Sequence, residues 1–501
     1  MTTEIELKFD LAPEARGRLT AAATALAGAN PRRRRMRSLY FDTPERALAQ
    51  REMALRLRRE GRRWVQTLKA GRSGTGGLHR REEWENARPG PTLDLSVLAE
   101  TPLARLDGAR IRKRLGPVFE VNFTRTAWQL APAPGCRLEI ALDMGEVASG
   151  RLTAPICEVE IECLEGDPGR AFDLAARLME EVALHPSATS KAQRGYRLAR
   201  DESTGPVKSA RVRLDAAMTP LDAARVIVAA GIAQLQANEE GVLASNDPEF
   251  VHQARVALRR TRSALRLFRR EIGEARVHRW LDALGETARA LGRSRDWDVF
   301  ATRSIPAALE AFGDAALARS LRARVAHRRR LERVRARETL RSPHYAEVLL
   351  DLARWLAGAD GDGAGKTPAE PLADFAARVI RKRHRKLLAG ALALGDLTPA
   401  ELHRVRIDTK RLRYGVDSLA ALFKPRPLAT FAASLEAMQE SLGDSNDAAT
   451  ALRLLAELAA PETFAAFARG WFASRERGDA AVLEPIVAQV ARHRRTWLRL
   501  A

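Results

Sequence analysis

Glu4, Glu6 and Lys8 alternate along Glu4-Ile5-Glu6-Leu7-Lys8-Phe9. Only a β-strand, with its period of two, sets all three charges on one face and sends Ile5, Leu7 and Phe9 to the other. Strands of the same kind recur: Arg56 and Arg58 in Leu55–Arg58, Arg81 and Glu83, Glu139 with Asp143, and Glu158, Glu160 and Glu162 in Cys157–Glu162. Charges of both signs on so many strands predict a closed antiparallel barrel with a charged interior. Such an interior suits phosphoryl transfer to water, which needs cations around phosphate oxygens, a divalent metal on carboxylates and a positioned nucleophile. Lys8, Arg56, Arg58, Lys69, Arg81, Arg125, Lys191 and Arg194 can supply the cations. Glu4, Glu6, Glu158 and Glu160 offer oxygen ligands suited to Mg²⁺ or Mn²⁺. Alternatively, the two sets of charge neutralise one another as salt bridges.

A second constellation lies in the C-terminal part. His252, Arg255, Arg259, Arg262 and Arg266 fall at steps of 0, 3, 7, 10 and 14, which a helix gathers into one stripe. His403, Arg406, Lys410 and Arg413 repeat the first four steps. Like charges at these spacings repel, so a duplicated stripe implies something negative bound across it; a solvated basic face is the plain alternative. No second His, Cys or carboxylate stands at ligand spacing beside His252 or His403, so phosphate donor is a better role for them than metal ligand. Arg324, His327, Arg328 and Arg330 extend the basic surface, while Asp296, Asp298 and Asp447 read as orienters of arginines.

The elements that must carry these residues divide the chain. Residues 1–200 are rich in strand patterns, with the run Gly71–Gly77 as a hairpin connection rather than a phosphate cradle, since no helix-opening Gly-Lys-Ser/Thr follows it. The tract Arg32–Arg35 reads as a solvated strand. Residues 201–218 form a polar linker, and 219–501 are helical, in two halves of about 219–356 and 370–501 separated by the glycine-rich stretch 358–365. The halves are repeats: Ala-Ala-Arg-Val-Ile occurs at 223–227 and 376–380, and Leu291-Gly292 matches Leu442-Gly443. Duplication predicts a helical bundle with internal pseudo-two-fold symmetry.

Composition narrows the partner. The chain of 501 residues has 84 Lys and Arg against 63 Asp and Glu, a net charge of +21 that favours an anion. Aromatic residues make up only 5%, too few platforms for stacked bases, so nucleic acid is disfavoured against a simpler phosphate-rich ligand. Cys136, Cys157 and Cys163 show neither metal spacing nor a disulfide framework. No signal peptide and no membrane-length apolar run is evident, and a cytoplasmic protein with no membrane partner is expected.

Glu4-Ile-Glu-Leu-Lys8, Tyr40-Phe-Asp-Thr-Pro44, Leu55-Arg-Leu-Arg58, Thr67-Leu-Lys69, Arg81 with Glu83, Arg125, Leu138–Asp143 and Ser190-Lys191-Ala-Gln-Arg194-Gly-Tyr196 resemble the CYTH, or triphosphate tunnel metalloenzyme, family. His252-Gln-Ala-Arg255, Leu291-Gly292 with Arg295-Asp296, His403-Arg-Val-Arg406 and Lys410-Arg-Leu-Arg-Tyr414 resemble the CHAD domain family. The resemblance implies an α+β multidomain chain: an eight-stranded antiparallel tunnel that hydrolyses a linear triphosphate with Mg²⁺ or Mn²⁺, then an all-α domain that binds inorganic polyphosphate. It places Glu4, Glu6, Glu158 and Glu160 on metal, the Arg and Lys set on phosphates, Lys8 also in catalysis, and Glu83 and Asp143 where they position metal or water. Polyphosphate would fall to His252, Arg255, Arg259, Arg262, His327, His403, Arg406, Lys410 and Arg413. Thiamine triphosphate or ATP remain alternative substrates, adenylate cyclase an alternative activity, and a polyphosphate-binding scaffold an alternative role. The part played by Glu162, on the same face, stays open.

Overall fold

The computed structural model describes residues 2–71, 74–105, 111–201, 205–359, 370–391, 398–442, 444–473 and 480–492. The chain divides into two compact units, Met1–Gly205 with Arg341–Gly363, and Pro206–Leu340 with Ala364–Ala501.

In the first unit, strands β1 (Thr2–Leu11), β2 (Arg32–Asp42), β3 (Met53–Glu60), β4 (Arg63–Ala70), β5 (Leu78–Arg88), β6 (Gly116–Ala133), β7 (Cys136–Ser149), β8 (Leu152–Glu165) and β9 (Leu184–Pro186) form one antiparallel sheet. Its order is β5-β4-β3-β2-β6-β7-β8-β1-β9, and β5 also pairs with β1 from Thr2↔Glu83 to Leu7↔Leu78. That pairing closes β1–β8 into the eight-stranded barrel expected from the sequence, leaving only three-residue β9 outside the ring. Closure satisfies the edge strands and fixes which residues face inward.

The usual polarity of a small barrel is reversed. Leu7, Phe9 and Leu11 of β1 point outward and are buried with Ile140, Val159 and Ile161 under helices α1 (Arg16–Ala27) and α2 (Gly169–Glu181), which contribute Leu19, Phe172, Ala175 and Leu178. Each fully buried Leu or Phe is worth about 1.5–3 kcal/mol relative to exposure. This external core offsets the cost of sending Glu6 and Lys8, the intervening residues, into the interior. One part of the interior is apolar: Met36, Tyr40, Phe119, Val121, Phe123, Val147 and Ile156 pack with Ala192 and Tyr196 of α3 (Lys191–Arg200). A capping box in which Ser190 and Gln193 satisfy each other's backbone groups starts that helix. It thereby sets Lys191 at the first helical position.

The sequence assigned residues 343–356 to the first helical half. The helix Pro343–Leu356 instead groups with the barrel. Its apolar face explains the difference, because Leu350 and Ala353 are buried in the same cluster as Phe9 and Phe172. Arg354 adds an ion pair to Asp173 at 2.7 Å, and the Tyr345 ring stacks on His185.

The second unit is built of helices. The two that carry the repeated stripes, Pro248–Leu267 and Pro399–Ser418, start alike: Asp247 and Thr398 accept from the first-turn amides of Glu249 and Glu401, and proline follows each cap. Among the described residues no helix is long and apolar enough to cross a membrane.

Gly195 gives a test of how α3 closes the interior. A Cβ there would overlap the ring of Phe119, which also stacks with Tyr40 and meets Tyr196 edge-on. Although alanine favours an isolated helix, Gly195→Ala should lower stability by about 1–3 kcal/mol through overpacking. A higher or unchanged urea midpoint would show that α3 does not pack there.

Candidate functional site

Alternation along six strands delivers the charged interior. Glu6, Lys8, Arg56, Arg58, Lys69, Arg81, Glu83, Arg125 and Glu160 line a cavity of about 200 Å³, and Lys191 enters it from α3. Glu85, Glu162, Tyr40, Phe123 and Ser190 complete most of the wall. Glu162, whose role the sequence left open, therefore reaches the cavity. Glu4 is paired in register with Arg81, but its side chain lies outside the described residues. Arg194 is not on the cavity wall; it pairs with Asp10 and lies 3.9 Å from Glu158.

Strand register brings together carboxylates that are distant in sequence. Asp143 stands opposite Glu158, and Ala141 opposite Glu160, so one oxygen from each of Asp143, Glu158 and Glu160 lies within 4.8 Å of the others. All three residues are buried. Asp143, expected to position metal or water, is thus adjacent to the expected ligands Glu158 and Glu160. Glu6 sits at the margin, 3.9 Å from Lys8 Nζ.

Three cations hold this cluster. Lys8 Nζ donates to Glu158 Oε1 at 2.9 Å and also to Glu160. Lys191 Nζ lies 2.6 Å from Asp143 Oδ2 and 2.9 Å from Glu160 Oε1, and it contacts Glu158. Arg125 grips Asp143 with both edges of its fork, at 2.8 and 2.7 Å, and reaches Glu160. Burial alone would depress the Lys8 ammonium, but Glu158, Glu160 and Glu6 outweigh it and hold its pKa well above the ordinary value. Burial likewise opposes the charged form of Glu160, yet Lys191, Lys8 and Arg125 keep that carboxyl well below its usual range. A cation in the first turn of a helix is locally unfavourable by about 0.3–1 kcal/mol. The carboxylates across the cavity therefore decide where Lys191 points.

The opposite wall is mainly cationic. Arg56 and Lys69 share Glu83 at 3.5 and 3.4 Å, and Arg58 lies 3.2 Å from Glu60 and 3.9 Å from Glu85. The Nε groups of Arg58 and Arg81 are buried with no hydrogen-bond partner among the described residues. Unused buried donors of this kind suit an anion whose oxygens complete them.

His79 is the residue that the sequence did not single out. It is buried, with Nε2 3.0 Å from the Ser187 carbonyl and Nδ1 3.4 Å from both the Gly74 amide and Arg81 Nη2. Because an amide can only donate, Nδ1 accepts and Nε2–H donates to Ser187. The Ser187 amide in turn donates to the Lys8 carbonyl at 2.8 Å. A neutral imidazole thus ties the strand of Arg81 to the segment leading into Lys191.

In the helical unit, Arg255, Arg259 and Arg262 lie along one helix as expected. Gly292 and Gly285 of the helix Glu274–Val299 face the side chains of Arg255 and Arg262, and a Cβ at either position would meet them at ordinary van der Waals distance. Arg259 lies over the Tyr414 ring at 5.1 Å, which joins the two repeated helices, and Arg413 pairs with Glu436 at 2.7 Å. His252 is half-buried, and burial and Arg295 lower its pKa. Arg406 and Lys410 are half-buried on the second stripe, and His403 is exposed. His327 is exposed and makes no ion pair or hydrogen bond among the described residues. Asp298 pairs with Arg333 at 3.1 Å and with Arg329, and Asp296 pairs with Arg453 at 3.4 Å, which agrees with an orienting role. The side chain of Asp447 lies outside the described residues.

Comparison with known proteins gives these two constructions their class. Residues 2–196 match the CYTH domain and residues 226–456 the CHAD domain. The chain is a CYTH domain followed by a CHAD domain. It is 32% identical over 204 residues to the inorganic triphosphatase of Haemophilus influenzae; the shared stretch is 40% of this chain and 55% of that protein, about half the relative's length. The crystal structure of the CHAD domain from the plant Ricinus communis is similar at 30% identity and a TM-score of 0.50, over 57% of this chain and 97% of that one. A Hippeastrum protein described as a putative adenylyl cyclase with a dominant triphosphatase activity aligns at 23% identity and a TM-score of 0.31, over 40% of this chain and 97% of that one.

The tunnel's carboxylates fit the divalent metal that the CYTH family implies. The donors are all oxygens, and among the described residues Glu158 Oε2 is buried without a hydrogen-bond partner. Asp143, Glu158 and Glu160 would hold the ion.

Burial, together with the charges of Lys8 and Arg81, lowers the His79 pKa from 6.5 to about 4 despite the opposing charge of Glu6. Between these values the unfolded chain binds the proton and the folded chain does not. Stability therefore falls as pH drops from about 6.5 to 4, by about 3 kcal/mol for this group. In His79→Gln the acid side of the stability profile should be flatter by about that amount in urea unfolding. An unaltered profile would mean that His79 is not buried as described.

Proposed function

We propose that the tunnel hydrolyses inorganic triphosphate with Mg²⁺ or Mn²⁺, and that the helical domain binds inorganic polyphosphate. The observation that carries the first part is the pairing, inside one closed barrel, of an all-oxygen carboxylate cluster with a wall of partly unsatisfied guanidinium groups. Arg56, Arg58, Lys69 and Arg81 would bind phosphate oxygens along the chain of the substrate. Lys8, Lys191 and Arg125 would neutralise charge beside the carboxylates, and Glu6, with Glu83 on the facing wall, would position metal or water. Glu4 and Arg194 belong to this set by sequence motif. Bound metal would supply charge neutralisation at the phosphoryl oxygens and acidify a water molecule.

The relative from Haemophilus influenzae supports the same substrate. So does size, because about 200 Å³ is below the roughly 300–1,000 Å³ usual for small-molecule sites and suits a short inorganic chain better than a nucleotide. Phosphate release from inorganic triphosphate, ATP, thiamine triphosphate and long polyphosphate, each with Mg²⁺ and Mn²⁺, is the direct test. A protein active on none of them would be a binding scaffold.

For the helical domain, the two stripes joined through Arg259 and Tyr414 support a polyanion, with His252, Arg255, Arg259, Arg262, His403, Arg406, Lys410 and Arg413 as its donors and His327 at an exposed position of the basic surface. Low aromatic content favours polyphosphate over nucleic acid.

Glu160→Gln should reduce kcat for inorganic triphosphate at least 100-fold, since it removes a buried charge from the metal cluster. Arg56→Ala should act mainly on KM, by about 10- to 100-fold, because a charge-assisted hydrogen bond contributes about 1.5–3 kcal/mol. Near-native kinetics in both would remove the cavity from the reaction. In the full chain, Arg255→Glu with Arg406→Glu should weaken polyphosphate binding more than either change alone; calorimetry showing a harmless double reversal, or duplex DNA bound as tightly, would reject the polyphosphate assignment.

A further inference from the structure

Each of the three carboxylates that could hold a dication already has an oxygen engaged by an ammonium group. Glu158 Oε1 meets both Lys8 and Lys191, Glu160 Oε1 meets the same two, and Asp143 Oδ2 meets Lys191 and Arg125. The charges balance: Asp143, Glu158 and Glu160 against Lys8, Lys191 and Arg125. A dication entering beside these cations would leave two uncompensated positive charges in a buried region, which low local dielectric makes costly.

We propose that Lys8 and Lys191 compete with the metal for its ligands, so that the tunnel loads in a fixed order, phosphate chain first and metal second. This rests on the tunnel reading given above. Lysine is suited to the exchange, for its charge rides on a flexible stem with rotatable donors and can pass from carboxylate to phosphate without movement of the backbone. Arg125 is not, because its planar fork is engaged at two points by Asp143. An incoming polyphosphate anion draws the two ammonium groups to its own oxygens. The carboxylates, stripped of their counter-ions, then become a strong oxygen site. Charge alone would make the same exchange impossible in reverse order without a net positive intermediate.

The test is binding of Mn²⁺ to the full-length protein in the absence of phosphate, followed by electron paramagnetic resonance of the free ion. Lys191→Met and Lys8→Met should each tighten Mn²⁺ at least 10-fold. Lys69→Met removes the same charge from the same cavity, but from a pair with Glu83 rather than from the three shared carboxylates, and should shift affinity less than 3-fold. Circular dichroism establishes that each variant folds; Lys8→Met, on a different element, gives the reading on its own if Lys191→Met does not fold. Unchanged Mn²⁺ affinity in the folded lysine variants overturns the proposal, and so does equal tightening by Lys69→Met, which would indicate the general field of the cavity. Release of phosphate by the native protein, measured on the same preparations, separates the two ideas: no release rejects the tunnel activity, whereas release with unaltered Mn²⁺ affinity rejects the competition alone.

Discussion

Three buried carboxylates met by three cations inside a closed barrel are the constraint on which the first unit is organised. Asp143 and Glu158 are fully enclosed, and an unpaired charge there would cost several kcal/mol. Each must therefore be met by a counter-ion at close range, and Lys8, Lys191 and Arg125 come from two strands and a helix to do so. Barrel closure, the capping box that starts α3 and the tie from Ser187 to Lys8 all serve to bring those three groups to one place. The external core and the apolar part of the interior around Phe119 supply the stability that the charged part does not.

The same polarity explains what the sequence disclosed. On strands, a period of two transmits position faithfully: Glu6, Lys8, Arg56, Arg58, Arg81, Glu83 and Glu160 could be placed on the inner face from alternation alone, and each faces the cavity. Lys191 lies on a helix, where no local pattern tells inside from outside, and it was found only through the motif around it. The union of Asp143 with Glu158 and Glu160 is a fact of register between β7 and β8, which a single strand does not encode.

Two features were not legible for a different reason. His79 is a single histidine among arginines, and two of its partners are backbone groups, the Ser187 carbonyl and the Gly74 amide, which no side-chain pattern announces. The helix Pro343–Leu356 carries an ordinary amphipathic pattern, which says that one face will be covered and is silent about the covering surface. Sequence order placed it with the helices around it; Leu350 and Ala353 found the barrel. In the helical unit the stripes were visible as spacing, whereas the approach of Gly285 and Gly292 to Arg262 and Arg255 depends on a neighbouring helix.

That helix alters how the chain can be divided. The polypeptide passes from one unit to the other at 205–206, returns at 340–341 and leaves again at 363–364. The compact units are thus interleaved along the sequence although the matched CYTH and CHAD regions follow one another, and the helix Pro343–Leu356 lies within the matched CHAD region. A CYTH part excised at residue 205 would carry a bare apolar strip where Leu350 and Ala353 belong, and the CHAD part left behind would retain a helix with its partner surface gone. For evolution by shuffling of modules this acts as a latch: a barrel exchanged at residue 205 for a homologue's would meet a helix, Pro343–Leu356, shaped to the surface it replaced.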